Sequence, residues 1–130
     1  MTGHVLKHLG VTKLELGPLA GRDGNWRVGR DATGVLWLAL DKADSGINTI
    51  TGDVLRELET HVATAEANLP RAVVLRSAKS GGFAAGADIT SFDRMSDEGA
   101  SELLTQGHAV LDRLEALACP TVCVVHGAAL

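Results

Sequence analysis

Residues 72–89 read AVVLRSAKSGGFAAGADI, and this stretch decides how the rest of the chain is interpreted. Its first six residues, Ala72 to Ser77, form a continuous apolar run with β-branched members, which is typical of a strand buried on both faces. A loop of glycines and alanines, GGFAAGADI at 81–89, follows almost directly. In open α/β sheets, ligands bind outside the carboxyl ends of the strands. The position of the loop therefore suggests a site.

Upstream of this stretch, the pattern predicts a hairpin and a helix. Two short β-type runs, WRVGRD at 26–31 and VLWLAL at 35–40, are separated by a turn that Asp31 and Gly34 bracket. Apolar residues then recur at helical spacing, and this segment is predicted to begin at a capping Thr51 and to end at Pro70. The members of its apolar face are Val54, Leu55, Leu58, Val62, Ala65 and Leu69.

Downstream of the loop, a second helix is predicted from a capping Ser96 to Pro120, with Leu103, Leu104, Val110, Leu111, Leu114 and Leu117 on one side. The run TVCVVHG at 121–127 then predicts another buried strand. Buried strands joined through helices imply right-handed crossovers and a mainly parallel sheet. The sequence therefore predicts an α/β fold.

Composition and charge argue against a nucleic-acid-binding protein and against a membrane-spanning protein. The 130 residues carry a net charge of −4 and no basic cluster with interleaved aromatic residues, which argues against nucleic acid as a partner. No apolar run approaches the roughly 20 residues that span a bilayer, and the N-terminus has no signal-peptide core. We therefore expect a cytoplasmic protein with no transmembrane segment. Residues 1–25 are predicted to be a leader of unknown role, and residues 26–130 one domain.

The cysteines and histidines give no indication of a metal site. Cys119 and Cys123 are the only cysteines, and we expect them to be small buried residues in a reducing compartment. Two thiols are too few for a structural zinc site, which typically needs about four ligands. The five histidines show no ligand spacing with them. No metal is therefore predicted.

The Gly-rich loop has three possible interpretations. A phosphate-binding P-loop matches the spacing of Gly81 and Gly86, but Ala87 and Asp88 stand where Lys and Ser/Thr are needed, so it is rejected. A purely structural turn remains open, because Gly-rich turns after strands are common. In the third interpretation, a helix begins near Ala87 or Asp88. The uncovered Ala87 N–H would then bind a developing oxyanion, which predicts a thioester or similar carbonyl substrate.

Three segments carry a resemblance to a known family. LDKADSGIN at 40–48, AVVLRSAKSGGFAAGADITSF at 72–92 and CPTVCVVHGAAL at 119–130 resemble the crotonase (enoyl-CoA hydratase/isomerase) superfamily. They look most like the N-terminal hydratase region of multifunctional fatty-acid β-oxidation α-subunits, where a 3-hydroxyacyl-CoA dehydrogenase follows. The resemblance runs from about Trp26 to Leu130, and FAAGADI at 83–89 is its most specific element. It implies the N-terminal part of a ClpP/crotonase-like ββα fold.

The resemblance also implies a set of site residues. The family's oxyanion hole for the thioester carbonyl takes one N–H from the alanine of its G-A-D triplet, which is Ala87 here. Neighbouring positions in the loop contact the CoA part of the substrate, as does the loop after the second strand. The matching residues are Ala85, Ala87, Asp88, Ile89, Thr90, Lys42 and Ala43. Asp88 is alternatively a helix cap. The resemblance implies no tightly bound cofactor, and a coenzyme A thioester as substrate.

The family reaction is the hydration of trans-2-enoyl-CoA to 3-hydroxyacyl-CoA, a lyase step of lipid metabolism. In the family, HGAAL leads into a second Gly-rich turn and two catalytic glutamates, and none of these has a counterpart here. Glu98, Glu102 and Glu115 are assigned to a solvated helix face. Residues 1–130 are thus expected to be a partial, inactive domain. The full-length protein is expected to form a homo-oligomer or a thiolase-containing complex.

Other functions remain open at this point. A non-catalytic acyl-CoA binding or assembly module would have the same loop and no acids. An enoyl-CoA isomerase shares the oxyanion loop and differs in acid/base residues that lie outside this sequence. A plain α/β domain would use the loop for structure alone, and replacing Ala87 with proline would then change folding but no ligand affinity.

Overall fold

The computed structural model describes residues 21–130, without the side chains of Ile89 and Phe92. Its strands are β1 (Arg22–Asp23), β2 (Trp26–Arg30), β3 (Val35–Leu40), β4 (Ala72–Ser77), β5 (Gly82–Ala84), β6 (Thr121–Val124) and β7 (Ala128–Ala129). Its helices are α1 (Gly52–Ala67), α2 (Ile89–Phe92) and α3 (Asp97–Glu115). No helix of the described part is both long and apolar enough to cross a membrane.

A mixed five-stranded sheet forms the centre of the fold, in the order β1-β2-β3-β4-β6. The first three strands are antiparallel, whereas β3, β4 and β6 run parallel through helical crossovers. The predicted hairpin is confirmed, and its turn closes through hydrogen bonds between Asp31 and both Gly34 and Val35. The predicted α/β class is also confirmed.

The two long helices begin where the sequence predicts. Thr51 caps α1 by accepting a hydrogen bond from the Val54 amide, and Ser96 caps α3 by accepting one from the Gly99 amide. Both helices pack on one face of the sheet, and their apolar residues meet alternate residues of β2, β3 and β4. The buried cluster consists of Trp26, Leu36, Leu38, Leu40, Val54, Leu58, Val62, Ala65, Val73, Val110, Leu114 and Leu117.

The prediction of a buried strand at 121–127 is wrong. Three of the four residues of β6 are exposed, and Val122 keeps 53% of its surface accessible. The physical reason is position: β6 is the edge of the sheet in the described part, and β4 is its only neighbour there. For the same reason Cys123 is exposed, contrary to the expectation of two buried cysteines, whereas Cys119 is half-buried against the core.

The N-terminal segment joins the domain earlier than predicted. Residues 1–20 of the predicted leader lie outside the described residues. Arg22 and Asp23, however, pair with β2, and Asn25 is buried beside α1, where its backbone amide donates to a Glu57 carboxylate oxygen at 2.9 Å. The folded region therefore includes at least residues 22–25 in addition to the predicted domain.

Candidate functional site

The Gly-rich loop is held against the segment that precedes α1. The Ala85 amide donates to the Asn48 carbonyl at 2.8 Å, the Ile50 amide donates to the Gly86 carbonyl at 2.9 Å, and the Asp88 amide donates to the Ile50 carbonyl at 3.1 Å. These bonds form a short parallel bridge in which Ile50 is opposite Ala87. The loop thus has a defined backbone conformation, as a preorganised site requires.

The bridge leaves the Ala87 amide free of hydrogen bonds within residues 21–130. In a parallel bridge of this kind, Ile50 bonds to the residues on either side of Ala87, so the N–H of Ala87 itself points away from that segment. Gly86 permits this turn because its φ of 82° lies in the left-handed region, which favours glycine. Ala87 is exposed, so its N–H is available to a ligand.

Asp88 acts as a cap for the one-turn helix α2. Its Oδ1 accepts hydrogen bonds from the Thr90 amide at 3.0 Å and the Thr90 hydroxyl at 2.6 Å, and its carbonyl accepts one from the Ser91 amide. The hydrogen bond from the Thr90 hydroxyl is the main cause that lowers the pKa of Asp88, and the charge of Lys42 contributes. The helix begins at Ile89, one or two residues later than predicted.

Asn48 links the predicted site residues to the sheet. It is 2% exposed, and its Nδ2 lies 3.1 Å from the Leu40 carbonyl, 2.9 Å from the Ser77 hydroxyl and 2.9 Å from the Phe83 carbonyl. Its Oδ1 accepts from the Lys42 amide at 2.9 Å. Asn48 is the last residue of LDKADSGIN, and no role is predicted for it from the sequence. The sequence feature that indicates such a role is a lone amide side chain at the end of that polar loop.

The loop after β3, which contains Lys42 and Ala43, lies beside the Gly-rich loop. Both backbone amides are already used, since Lys42 N–H donates to Asn48 and Ala43 N–H donates to the Asn25 side chain at 2.9 Å. Lys79 joins this loop to the end of β4, because its Nζ donates to the carbonyls of Lys42 at 2.9 Å and Ser45 at 2.6 Å. The structure therefore brings the two predicted loops together.

A buried carboxylate anchors the same loop. Asp41 is 6% exposed, and its two oxygens contact Lys79 at 2.7 Å, Arg27 at 2.8 Å and Arg22 at 2.6 Å. Burial of Asp41 opposes its ionisation, but the hydrogen bonds and charges of the surrounding cations outweigh this effect and lower the pKa of Asp41. Sequence reasoning missed this cluster, since its members come from β1, β2 and two loops.

Ala87 lines one wall of an apolar pocket between the loop and the helices. The pocket has a volume of about 180 Å³ and is lined by Ile50, Leu55, Ala87, Leu103, Leu104, Gly107, His108 and Leu111. None of these residues is an acid. The three glutamates that were predicted to be solvated are all exposed on α3, and none of them lines this pocket. The pocket thus suits an apolar group attached to a carbonyl.

The segment after β6 returns to the Gly-rich loop. β7 pairs in parallel with β5, and the Leu130 amide donates to the Ala84 carbonyl at 3.0 Å. Gly127 is required at this approach, because a Cβ there would come within 2.7 Å of the Gly81 carbonyl oxygen. HGAAL at 126–130 therefore runs beside the loop that carries Ala87. Within residues 21–130, no cluster of three or more His, Cys, Asp or Glu side chains has the arrangement of a metal site.

Comparison with known proteins gives consistent matches. The Enoyl-CoA hydratase/isomerase family profile matches residues 35–130. A fatty acid oxidation complex subunit alpha from Shewanella baltica is 35% identical over 99 residues, which is 75% of this chain and 14% of that protein. The subunit of the same name from Shewanella loihica is 34% identical over 110 residues, 83% of this chain and 16% of that protein. The chain thus spans about one seventh of the length of these relatives.

Solved structures show the same fold. An enoyl-CoA hydratase from Mycobacterium smegmatis superposes with a TM-score of 0.73 at 26% identity, covering 81% of this chain and 41% of that one. An enoyl-CoA hydratase/carnithine racemase from Magnetospirillum magneticum gives a TM-score of 0.72 at 26% identity, covering 84% of this chain and 41% of that one. The chain belongs to the enoyl-CoA hydratase/isomerase family of crotonase-fold proteins.

Proposed function

We propose that the chain binds an acyl-CoA thioester at the Gly-rich loop and polarises its carbonyl through the Ala87 N–H. The observation that carries this proposal is the Ala87 amide, which has no hydrogen-bond partner within residues 21–130 although the bonded amides of Ala85 and Asp88 fix the loop around it. A donor that is fixed before the ligand arrives stabilises an enolate-like oxygen without reorganisation, and removal of such a donor costs about 3 kcal/mol in other enzymes.

The apolar pocket supports the same proposal. A thioester whose carbonyl oxygen meets the Ala87 N–H would place its acyl chain near the pocket that Ala87 lines, between Ile50 and Leu111. Burial of acyl methylenes there would contribute about 0.8 kcal/mol for each CH₂ group. The CoA part would extend along the rim of the loop, where Ala85, Asp88, Ile89 and Thr90 offer backbone atoms. Lys42 would supply a positive charge beside it.

The reaction we propose is hydration of a trans-2-enoyl-CoA, as part of a fatty-acid oxidation protein of the kind named in the relatives. Hydration needs groups that activate water and protonate the α-carbon. The pocket lining contains no Asp or Glu, and its one titratable side chain is His108, so residues 1–130 alone would lack a pair of acid and base groups and would bind the thioester without turnover. Water activation would then require groups beyond these residues. The full-length protein would be cytoplasmic and form a homo-oligomer or a thiolase-containing complex.

A titration with a saturated acyl-CoA, butyryl-CoA, tests the binding step. Ala87→Pro removes the N–H, whereas Ala87→Ser keeps it at nearly the same side-chain size. We expect Ala87→Pro to weaken binding about tenfold, the value of one hydrogen bond, and Ala87→Ser to retain affinity. Circular dichroism of each variant checks the fold. Equal affinity of a folded Ala87→Pro variant and the wild type would contradict the role of the amide and favour a structural loop.

A hydration assay with crotonyl-CoA tests the reaction separately. We expect no turnover by residues 1–130, even at concentrations that saturate binding. Clear turnover would mean that the chain already carries its acid and base, and the assignment of roles would be wrong. Tight binding without turnover by the protein as its host produces it would instead favour the non-catalytic binding module.

A further inference from the structure

The face of the sheet opposite the helices carries a row of arginines. The strand register places Arg22 opposite Arg27, Arg27 opposite Ala39, Ala39 opposite Arg76, and Arg76 opposite Val124. Residues paired in register share a face. Leu38 and Leu40 on either side of Ala39 point into the core, so this row lies on the outer face.

Asp41 pairs with three cations near this face. Asp41 lies two residues after Ala39, directly beyond the end of β3. One of its carboxylate oxygens pairs with Arg22 and Arg27, and the other pairs with Lys79. Both carboxylate oxygens are therefore occupied. Arg76, on the neighbouring strand, has no ion pair among the described residues.

Arg76 is buried, and no acid among residues 21–130 forms an ion pair with it. It is 6% exposed, its only hydrogen bond among residues 21–130 runs from Nη1 to the Ser77 carbonyl at 3.3 Å, and its buried Nε has no partner there. Burial lowers the pKa of Arg76, which reflects the cost of desolvating its charge. Buried charges in proteins are normally paired, and a guanidinium usually meets a carboxylate or phosphate through two parallel hydrogen bonds.

We propose that Arg76 is an anion-binding residue on the outer face of the sheet, where Nε and an Nη atom take one oxyanion in a bidentate pair. The ligand chemistry is a carboxylate or a phosphate group. A carboxylate would come from an acidic side chain of a protein segment that covers this face, and a phosphate from a small phosphorylated molecule. The inference does not rest on acyl-CoA binding at Ala87.

Thermal unfolding of the 130-residue chain in sodium acetate, sodium phosphate and sodium chloride of equal ionic strength tests this proposal. At about ten times its dissociation constant, the preferred anion should raise the wild-type midpoint by about 4 °C or more over chloride. Arg76→Met should show no such rise. Arg30→Met, which removes an exposed arginine bonded to the Asn68 carbonyl on the helix side, should behave like the wild type. A larger rise in acetate assigns a protein carboxylate, and a larger rise in phosphate assigns a phosphoryl group.

A second readout keeps the test independent of the variant's folding. The Nε–Hε resonance of Arg76 in the wild-type protein should shift saturably as the effective anion is added, with the same midpoint as the thermal effect. Arg76→Lys, which keeps the charge but not the bidentate geometry, should bind that anion at least tenfold more weakly. A wild-type protein in which neither anion changes the midpoint or the Arg76 resonance would overturn the proposal, as would an Arg76→Met variant that responds like the wild type.

Discussion

Two regions of the molecule contain conspicuous motifs but differ in how fully their residues are buried. The Gly-rich loop and the loop after β3 are joined to the sheet by buried polar residues, of which Asn48 and Asp41 are 2% and 6% exposed. The β6 edge and the residue that follows it instead leave large apolar side chains in solvent, with Val122 at 53% and Val125 at 55% exposed. A site can thus be held by a local polar network even where an adjacent apolar surface is only partly covered.

This contrast has a physical basis. A polar network is satisfied by a few atoms at defined distances, and all the hydrogen-bond partners of the Asn48 side chain lie within residues 40–83. Apolar burial requires area from several neighbouring elements, and β6 has one neighbour in the described sheet. The two regions should therefore respond differently to substitution.

The largest effect is expected from Asp41→Asn. This substitution leaves Lys79, Arg22 and Arg27 around a neutral amide, and loss of one partner from a buried ion cluster costs about 3–5 kcal/mol. Urea unfolding at pH 7 measures the change. Asp44→Asn in the same loop is the matched control, since Asp44 is exposed and Asn tolerates its φ of 54°. Equal stabilities of the two variants would show that the cluster does not anchor the loop.

The same variant should change the pH dependence of stability. The pKa of Asp41 is lowered in the folded protein, so the native state binds fewer protons than the unfolded chain at mildly acidic pH. The contribution of Asp41 to stability is present above its unfolded pKa of about 4 and is lost as the pH falls through the lower folded value. Asp41→Asn should therefore lose less stability than the wild type on acidification from pH 6 to pH 3. An unchanged slope would contradict the assignment.

An intermediate effect is expected from Asn48→Ala. The substitution leaves the Lys42 amide and the Phe83 carbonyl without their partner, and each unsatisfied buried group costs about 1–3 kcal/mol. We expect a loss of about 3 kcal/mol in urea unfolding and weaker binding of butyryl-CoA, because Asn48 also supports the segment that holds Ala85. Asn68→Ala, at the exposed end of α1, should cost under about 0.5 kcal/mol. If Asn48→Ala lowers the free energy of unfolding by less than about 1 kcal/mol, the Asn48 network does not stabilise the site.

The same contrast explains what could be predicted from the sequence. The spacing of apolar residues and the capping residues Thr51 and Ser96 correctly predict two long helices and where each begins, because these features act within a few residues of the chain. The position of the Gly-rich loop after β4 follows from the same local pattern. The hydrogen-bond partners of Asn48 cannot be predicted from that pattern, since Ser77 and Phe83 are 29 and 35 residues away along the chain.

Two further features depend on which strands become neighbours. The exposure of Cys123 follows from the edge position of β6, and a run such as TVCVVHG is equally apolar in a central strand. The arginine row requires the register that sets Ala39 between Arg27 and Arg76, which no residue type along the chain specifies. Pairing in three dimensions, rather than composition, determines both.

The smallest effect on stability is expected at the β6 edge. Val122→Thr keeps the side-chain shape on an exposed position and should change the free energy of unfolding by less than about 0.5 kcal/mol. The same substitution at Val73, 1% exposed on β4, buries a hydroxyl in the apolar core and should cost about 2 kcal/mol. Light scattering of concentrated protein gives the complementary measurement, because an apolar edge strand favours association. Val122→Thr should lower the scattering relative to the wild type, even though its unfolding curve is unchanged. A loss of stability at Val122 as large as that at Val73 would mean that β6 is packed in solution, and the difference between the two regions would disappear.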